Sequence, residues 1–213
     1  MAAPSPYSYD VLVAPKSTLG SIKNWINHDT VDPTQILAEA QAYIYAKLRA
    51  REMQVSTTVA GVQDQAWIAL PDGFLDPIEL KFDGDGEPLE FVHETLLDRV
   101  YDPDGTFSSG QPLRWSIFDE RIQFDCPVDV TALPYTGRLI YYATPAPLAT
   151  VTNPTNFLTS RFPTLLRRAC LAFGYEARNR ADMMQAQLAL LDPAIDDANR
   201  AADMSRRGQS LRR

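Results

Sequence analysis

The chain has 213 residues but only two cysteines, two histidines and no long apolar run. Cys126 and Cys170 are too few for a disulfide framework or a thiolate zinc site, so we expect both to be reduced and structural. No stretch of about eighteen apolar residues occurs, which argues against a membrane-spanning helix. The first seven residues have neither a basic nor an apolar signal segment, which predicts folding in the cytoplasm.

Sequence motifs that mark an enzyme or a metal site are also missing. There is no GxSxG elbow, no Walker A loop and no dinucleotide fingerprint. His28 and His93 have no second histidine or cysteine at metal-ligand spacing, so surface or capping roles are predicted. Positions 1, 3, 5 and 12 of a calcium loop are imitated by Asp83, Asp85, Glu87 and Glu94. Pro88 stands where that loop needs glycine, so a calcium site is not expected there. Together, these missing motifs lead us to expect no metal, no cofactor and no enzyme.

Charge is divided unevenly along the chain, whose net charge is −7. Residues 1–160 contain 21 acids and 10 bases, whereas residues 161–213 contain 10 arginines and 6 acids. The acidic body would repel a phosphate backbone, so a free duplex-binding protein is not expected. The arginine-rich end is suited to bidentate contacts with carboxylates of another protein. An arginine-rich genome would explain the same composition.

The hydrophobic period changes along the chain from helical to alternating and back to helical. The pattern predicts an α+β fold: a helical bundle with an inserted antiparallel β-sheet or sandwich domain and an extended basic C-terminal tail. The predicted parts are an extended N-terminal arm (1–16), helices (17–53), a β-rich inserted domain (54–150), C-terminal helices (151–205) and the basic tail (206–213).

Two helical regions have clear start signals. Asp32 is a predicted N-cap, Pro33 a first-turn proline and Gln35 a capping-box residue, for a helix that is expected to end near Met53. Its predicted inner face is Ile36, Leu37, Ala40, Ile44 and Leu48. A shorter helix from Ser17 is predicted to precede it, with one face made of Leu19, Ile22, Trp25 and Ile26. A long helix is predicted from Pro163, with a break at Asp192-Pro193 and a final helix leaving at an angle.

The strand block contains two predicted hairpins. The first has apolar alternation up to Phe82, a turn at 83–86, and a return strand through Leu89 and Phe91. The second turns at Asp119-Glu120, between strands that contain Leu113, Trp115 and Ile117 on one side and Ile122 and Phe124 on the other. A short helix is predicted over 94–99, and a last strand over 138–143.

Several stretches in this order, over Thr18–Arg207, resemble the head-to-tail adaptor (connector) proteins of tailed bacteriophages. The stretches are Ala69–Phe74, Asp83–Val92, Gly110–Trp115, Ile122–Pro127, Leu139–Ala143, Asn156–Leu158 and Phe162–Leu166. The proline-containing residues 1–16 depart from the pattern. The resemblance implies a structural virion protein at the head–tail interface, made in the host cytoplasm, without membrane contact.

The resemblance further implies a homo-oligomeric ring of about twelve subunits beneath the portal, with a tail nozzle bound to its lower face. Double-stranded DNA would pass through the ring without sequence-specific binding during ejection. The basic C-terminal segment would then reach the portal. There, Arg206, Arg207, Arg212 and Arg213 would pair with portal carboxylates and Leu211 would enter an apolar niche. A solvated, unattached tail is the alternative.

Two other classes of function stay open at this point. The strand aromatics could form the surface of a β-rich module that binds a carbohydrate or another ligand: Trp115, Phe118, Tyr141 and Tyr142. A hydrolase would have to use Asp102, Asp104 or Asp119, which the sequence alone does not arrange into acid and base roles.

Overall fold

The computed structural model describes residues 7–83, 87–97, 109–131, 136–149 and 152–210, the last six of these by backbone only. The α+β class is confirmed. The chain forms two compact units, a helical unit of Met1–Glu52 with Pro145–Arg213 and a sheet unit of Met53–Thr144.

The helices and strands follow one another in a helix–strand–helix order. They are α1 (Tyr9–Leu12), α2 (Ile22–Trp25), α3 (Pro33–Lys47), a 3-10 turn (Arg51–Met53), β1 (Gln54–Ala60), β2 (Trp67–Ala69), β3 (Phe74–Phe82), β4 (Glu90–Phe91), α4 (Glu94–Leu97), β5 (Arg114–Phe118), β6 (Arg121–Phe124), β7 (Thr136–Ala143), α5 (Phe157–Arg161), α6 (Pro163–Glu176) and α7 (Ala181–Ser210).

Helix α3 begins where the sequence predicts. The Asp32 carboxylate accepts a hydrogen bond from the Thr34 N–H at 2.9 Å, and Pro33 occupies the first turn. The Gln35 side chain donates to Glu39 instead of completing a capping box. The helix ends at Lys47, earlier than the predicted Met53, because the backbone becomes extended at Leu48. The predicted inner face is confirmed as buried: Ile36, Leu37, Ala40, Ile44 and Leu48.

The predicted extended arm over 1–16 is wrong for its second half. Residues 1–6 lie outside the described residues, but Tyr9–Leu12 form a helical turn whose Leu12 is completely buried. The Tyr9 N–H donates to the Pro154 carbonyl at 2.8 Å, and the Tyr7 ring lies 5.8 Å from that of Trp25. Apolar anchors therefore outweigh the prolines, because burying these side chains stabilises the segment against the helical unit.

Helix α2 is much shorter than the predicted helix from Ser17. It starts at the Ser21 N-cap, and Leu19 is 88% exposed instead of lying on the buried face. Ile26, just after α2, packs directly against Gly174 in α6. A Cβ atom at Gly174 would lie 2.6 Å from Cγ2 of Ile26, so glycine in this helix is required by the close approach.

The sheet unit has two sheets. One has the order β1-β7-β3 and the other the order β2-β6-β5-β4. Their pairings are antiparallel except for β4 with β5, which is parallel. Residues from both sheets form one apolar cluster, which includes Leu80, Phe82, Trp115, Ile122, Phe124 and Leu139. Burial of these apolar and aromatic side chains stabilises the unit.

One of the two predicted hairpins is present. Strands β5 and β6 pair through Phe118 and Arg121, and the turn residues Asp119 and Glu120 both have positive φ, as a two-residue hairpin turn requires. The predicted hairpin of β3 with β4 is wrong, because β3 pairs with β7 while β4 joins the other sheet. A turn signal determines where a chain reverses, but the pairing partner depends on the core that each strand covers.

Candidate functional site

Helix α7 contains the first part of the predicted portal-binding segment. Its 30 residues correspond to a length of about 45 Å at 1.5 Å per residue. One face is apolar and packs within the helical unit, where Leu191 and Ile195 are buried and Leu188 is half-buried. The opposite face is exposed, with Leu190 at 52%.

The break between the last two helices lies earlier than predicted. Helix α6 ends at Glu176, and α7 begins at Ala181. Between them Asn179 has φ 54°, the left-handed conformation that often ends a helix. The Arg178 guanidinium donates to the Ile26 carbonyl at 2.9 Å and thereby attaches this turn to the segment after α2. Asn179 was the available sequence signal, since asparagine tolerates this conformation.

The predicted interruption at Asp192-Pro193 is wrong, because α7 continues through both residues. Proline has no N–H and removes one intrahelical hydrogen bond, which normally destabilises a helix interior. In α7 the Arg168 guanidinium, from α6, donates to the Leu190 carbonyl at 2.8 Å in the turn before Pro193. The carbonyl that loses its usual donor at Pro193 is that of Ala189, so the Arg168 contact attaches the neighbouring turn to α6 and does not replace the missing hydrogen bond.

Asp192 does not act as an N-cap; its carboxylate joins α7 to α3. It accepts hydrogen bonds from the Tyr43 hydroxyl at 2.7 Å and from Lys47 Nζ at 2.9 Å, and Lys47 lies 2.6 Å from the same hydroxyl. The Tyr43 ring meets Phe173 of α6 edge to face. Three helices therefore meet at this cluster of Tyr43, Lys47 and Asp192.

The electrostatics of this cluster favour the charged forms of Lys47 and Asp192. Partial burial acts to raise the pKa of Asp192, but the hydrogen bonds from Tyr43 and Lys47 and the Lys47 charge lower it below its usual value. The hydrogen bonds to Tyr43 and then to Asp192 raise the pKa of Lys47. Burial, followed by the Asp192 hydrogen bond, raises the pKa of Tyr43.

A second attachment lies seven residues further along α7. The Asn199 side-chain carbonyl accepts from the Arg49 N–H at 2.7 Å, and its amide donates to the Lys47 carbonyl at 3.0 Å. Asn199 thereby satisfies backbone groups just beyond and at the end of α3, which a helix terminus leaves without partners. Attachments at residues 192 and 199 fix the position of α7 over about 10 Å of its length.

The predicted portal-binding residues start on this helix. The backbone of Arg206 and Arg207 belongs to α7, which reaches Ser210, so the first five residues of the predicted detached tail are helical. Leu211, Arg212 and Arg213 lie outside the described residues. Just before the basic segment, Met204 is 70% exposed. The sequence pattern does not indicate that Arg168, Tyr43 and Asn199 attach α7 to the other helices, because their partners lie far away along the chain.

Among the other candidate sites, Asp119 belongs to the β5–β6 turn, whereas Asp102 and Asp104 lie outside the described residues. His28 and His93 each contact a threonine two residues on. No metal-binding group of histidine, cysteine, aspartate and glutamate occurs within the described residues. Of the four aromatics proposed for ligand binding, three are core residues: Trp115, Tyr141 and Tyr142. Phe118 alone of the four is exposed, so those side chains do not form a common binding surface.

The family comparison supports the coarser part of the resemblance, a phage adaptor-type protein. The sequence profile described as SU10 adaptor protein matches residues 16–213. No curated protein matches the chain. Across the described helices, none combines the length and apolar character that a membrane crossing requires. The chain therefore belongs to the SU10 adaptor protein family and is a phage structural adaptor protein, a component of the virion.

Proposed function

We propose that this adaptor forms a ring, of about twelve copies, that joins the portal of a tailed phage to its tail at the head–tail interface. Double-stranded DNA would pass through the centre of the ring without sequence-specific binding. The role is structural and needs no catalysis. The observation that supports it best is the attachment of α7 at Asp192 and Asn199, which leaves the arginine-rich end beyond the anchored part.

The geometry of α7 suits a segment that reaches another protein. From Asn199 to Ser210 the helix rises by about 16 Å, and Leu211, Arg212 and Arg213 follow. A rigid attachment lowers the conformational entropy that binding would cost. We propose that Arg206, Arg207, Arg212 and Arg213 pair with portal carboxylates and that Leu211 enters an apolar niche.

Repetition around a ring makes weak contacts sufficient. One exposed ion pair contributes only about 0–1 kcal/mol, but when some subunits are bound, the remaining contacts form at a high effective concentration. A head-to-tail interface closes into a ring when the rotation per subunit divides a full circle. The net negative charge of residues 1–160 is compatible with a channel that does not hold DNA phosphates.

The tail hypothesis is tested by neutralising the four arginines. Replacing Arg206, Arg207, Arg212 and Arg213 by glutamine is expected to abolish co-sedimentation with the purified portal at physiological salt. The charge-matched control replaces the same four residues by lysine, which keeps the charge but not the bidentate geometry, and should retain part of the binding, more than the glutamine variant and less than the unaltered chain.

A second control identifies effects of charge elsewhere, at one position on the same helix and one just before it. Neutralising Arg180 and Arg200, which pair with Asp182 and Asp197, should leave portal binding unchanged. Equal binding by the glutamine variant and the unaltered chain would contradict the proposed role of the tail. Ring formation is scored separately, by native mass and electron microscopy of the chain with and without portal, and a chain that stays a monomer in both would contradict the ring.

A further inference from the structure

Among the edge strands in the described part of the chain, only β1 has no feature that prevents pairing with a strand of another chain. Its sequence, Gln-Val-Ser-Thr-Thr-Val-Ala, has no charge and no proline, and its seven residues pair with β7 in unbroken register. Natural sheet edges are usually short, charged, bulged or interrupted by proline, because an open edge can pair with another chain.

The other three edges have these protective features. Strand β2 has three residues and β4 has two. Strand β3, at the opposite edge of the same sheet, contains Pro77 and the charged residues Asp76, Glu79 and Lys81. Its register with β7 also shifts twice. The open edge of β1 is therefore a local property of this strand and not a general feature of the unit.

The outer side of β1 is accessible. Among the residues that the structure describes, β7 is the only element with which the β1 backbone forms hydrogen bonds. Ser56, Thr58 and Ala60 are exposed, and Val55 is 41% exposed. A groove of about 300 Å³ lies beside the strand, between Thr57–Ala60 and residues Ile68, Ala69 and Pro71. A strand added to this edge would lie about 4.8 Å from β1, the usual distance between neighbouring strands.

The sequence of β1 is complementary to itself when two copies run antiparallel. With Thr57 opposite Thr57 of a second copy, Val55 faces Val59, Ser56 faces Thr58 and Gln54 faces Ala60. Pairs of β-branched residues and pairs of hydroxyl residues both stabilise adjacent strands, and no like charges oppose each other. The arrangement also covers the exposed Val55 with Val59, which packs against the core of the sheet unit.

We propose that two copies of the free chain pair antiparallel through β1, centred on Thr57, so that the sheets β1-β7-β3 of both copies become one six-stranded sheet. This contact is isologous, since both copies use the same surface. It therefore closes a dimer and cannot propagate around a ring. The inference depends on the sheet edges alone and stands or falls independently of the proposed ring.

The test places charges at the two exposed positions that would face each other, Ser56 and Thr58. Sedimentation velocity over a series of concentrations should show a reversible dimer for the unaltered full chain. The double variant Ser56→Lys/Thr58→Lys puts like charges opposite each other and is expected to raise the dimer dissociation constant at least about tenfold. The matched variant Ser56→Lys/Thr58→Glu puts opposite charges across the interface and should retain the dimer.

Both variants change the same exposed side chains, so a difference between them reports on pairing and not on folding. A cross-link gives a second measurement. Thr57→Cys should form an intermolecular disulfide in mild oxidant, since residue 57 faces itself, whereas Ser56→Cys, which faces Thr58, should cross-link far less. The unaltered chain, with Cys126 and Cys170, gives the background.

Three results would overturn the proposal. They are a monomer at every concentration, a dimer that the double lysine variant does not weaken, and a dimer that both charge variants weaken equally. A monomeric chain whose binding to a tail protein is lost in the double lysine variant would assign this edge to that protein instead.

Discussion

The helical unit and the sheet unit both bury apolar side chains but differ in the buried polar side chains that they contain. Within the described residues, the helical unit buries the polar side chains of Ser21, Gln41 and Thr159, whereas the sheet unit buries that of Ser116. Large apolar side chains are buried in both units, with the aromatic residues Trp115 and Phe82 in the cluster of the sheet unit. A buried polar group needs a partner in one position, so polar contacts define the geometry of segments that are distant along the chain.

The network around Gln41 shows how this works in the helical unit. The Gln41 carbonyl accepts from the Leu148 N–H at 2.8 Å, and the Asn156 amide donates to the Tyr45 hydroxyl at 2.9 Å. Burial raises the pKa of Tyr45 to about 12, so this hydroxyl stays protonated. The contacts join α3 to the loop that leads into α5, 107 and 111 residues further along the chain.

The largest expected effect lies in the sheet unit. Trp115→Ala removes a side chain that is 1% exposed and donates to the Leu89 carbonyl at 3.3 Å, and should lower the free energy of unfolding by about 3–5 kcal/mol. Chemical denaturation measures the loss. Trp67→Ala, at a 36% exposed position, is the control and should have a clearly smaller effect. Equal losses of stability in the two variants would contradict the conclusion that the buried Trp115 side chain stabilises the sheet unit.

An intermediate effect is expected from Gln41→Leu in the helical unit. The apolar side chain has similar volume, but it leaves the buried Leu148 N–H without its partner. The free energy of unfolding should fall by about 1–3 kcal/mol, the usual consequence of an unsatisfied buried donor. Gln35→Leu, on the exposed face of the same helix, should stay within about 0.5 kcal/mol of the unaltered chain. A neutral Gln41→Leu would show that this unit, too, depends on apolar packing alone.

The smallest expected effect is a pH dependence of the free energy of unfolding that arises from the Asp192 carboxylate. Because its pKa is lowered on folding, its charge stabilises the folded state above the unfolded pKa of about 3.9, and this stability is lost as the pH falls further. The side chain is 44% exposed, so Asp192→Asn should reduce stability at pH 7 by less than about 1 kcal/mol.

The difference between Asp192→Asn and the unaltered chain should disappear as the pH falls from 5 to below 3. Lys47 has a raised pKa, so its contribution stays present until the pH rises above about 10.4. Denaturation curves at several pH values measure the difference. A difference that is constant from pH 7 to pH 3 would contradict a role for the Asp192 charge.

Strong local patterns predicted much of the fold. The inner face of α3 and its Asp32-Pro33 start could be identified because capping and helical periodicity involve neighbouring residues. The β5–β6 hairpin was predictable for the same reason. The failed predictions depend on contacts far away along the chain: α1 packs against the loop at Pro154, and β3 pairs with β7 instead of β4. The candidate site was located by composition alone, through its arginines.

By itself, the sequence determined the α+β class, the alternation of helix, strand and helix, and the separation of an acidic body from a basic end, because these properties need only local pattern and residue counts. Only the tertiary structure decided that α7 continues through Pro193 and is attached to α3 and α6, because the hydrogen bonds of Leu190, Asp192 and Asn199 join residues that no local pattern connects. It also decided that β1 lies at an open edge, because an edge exists only after the other strands have paired.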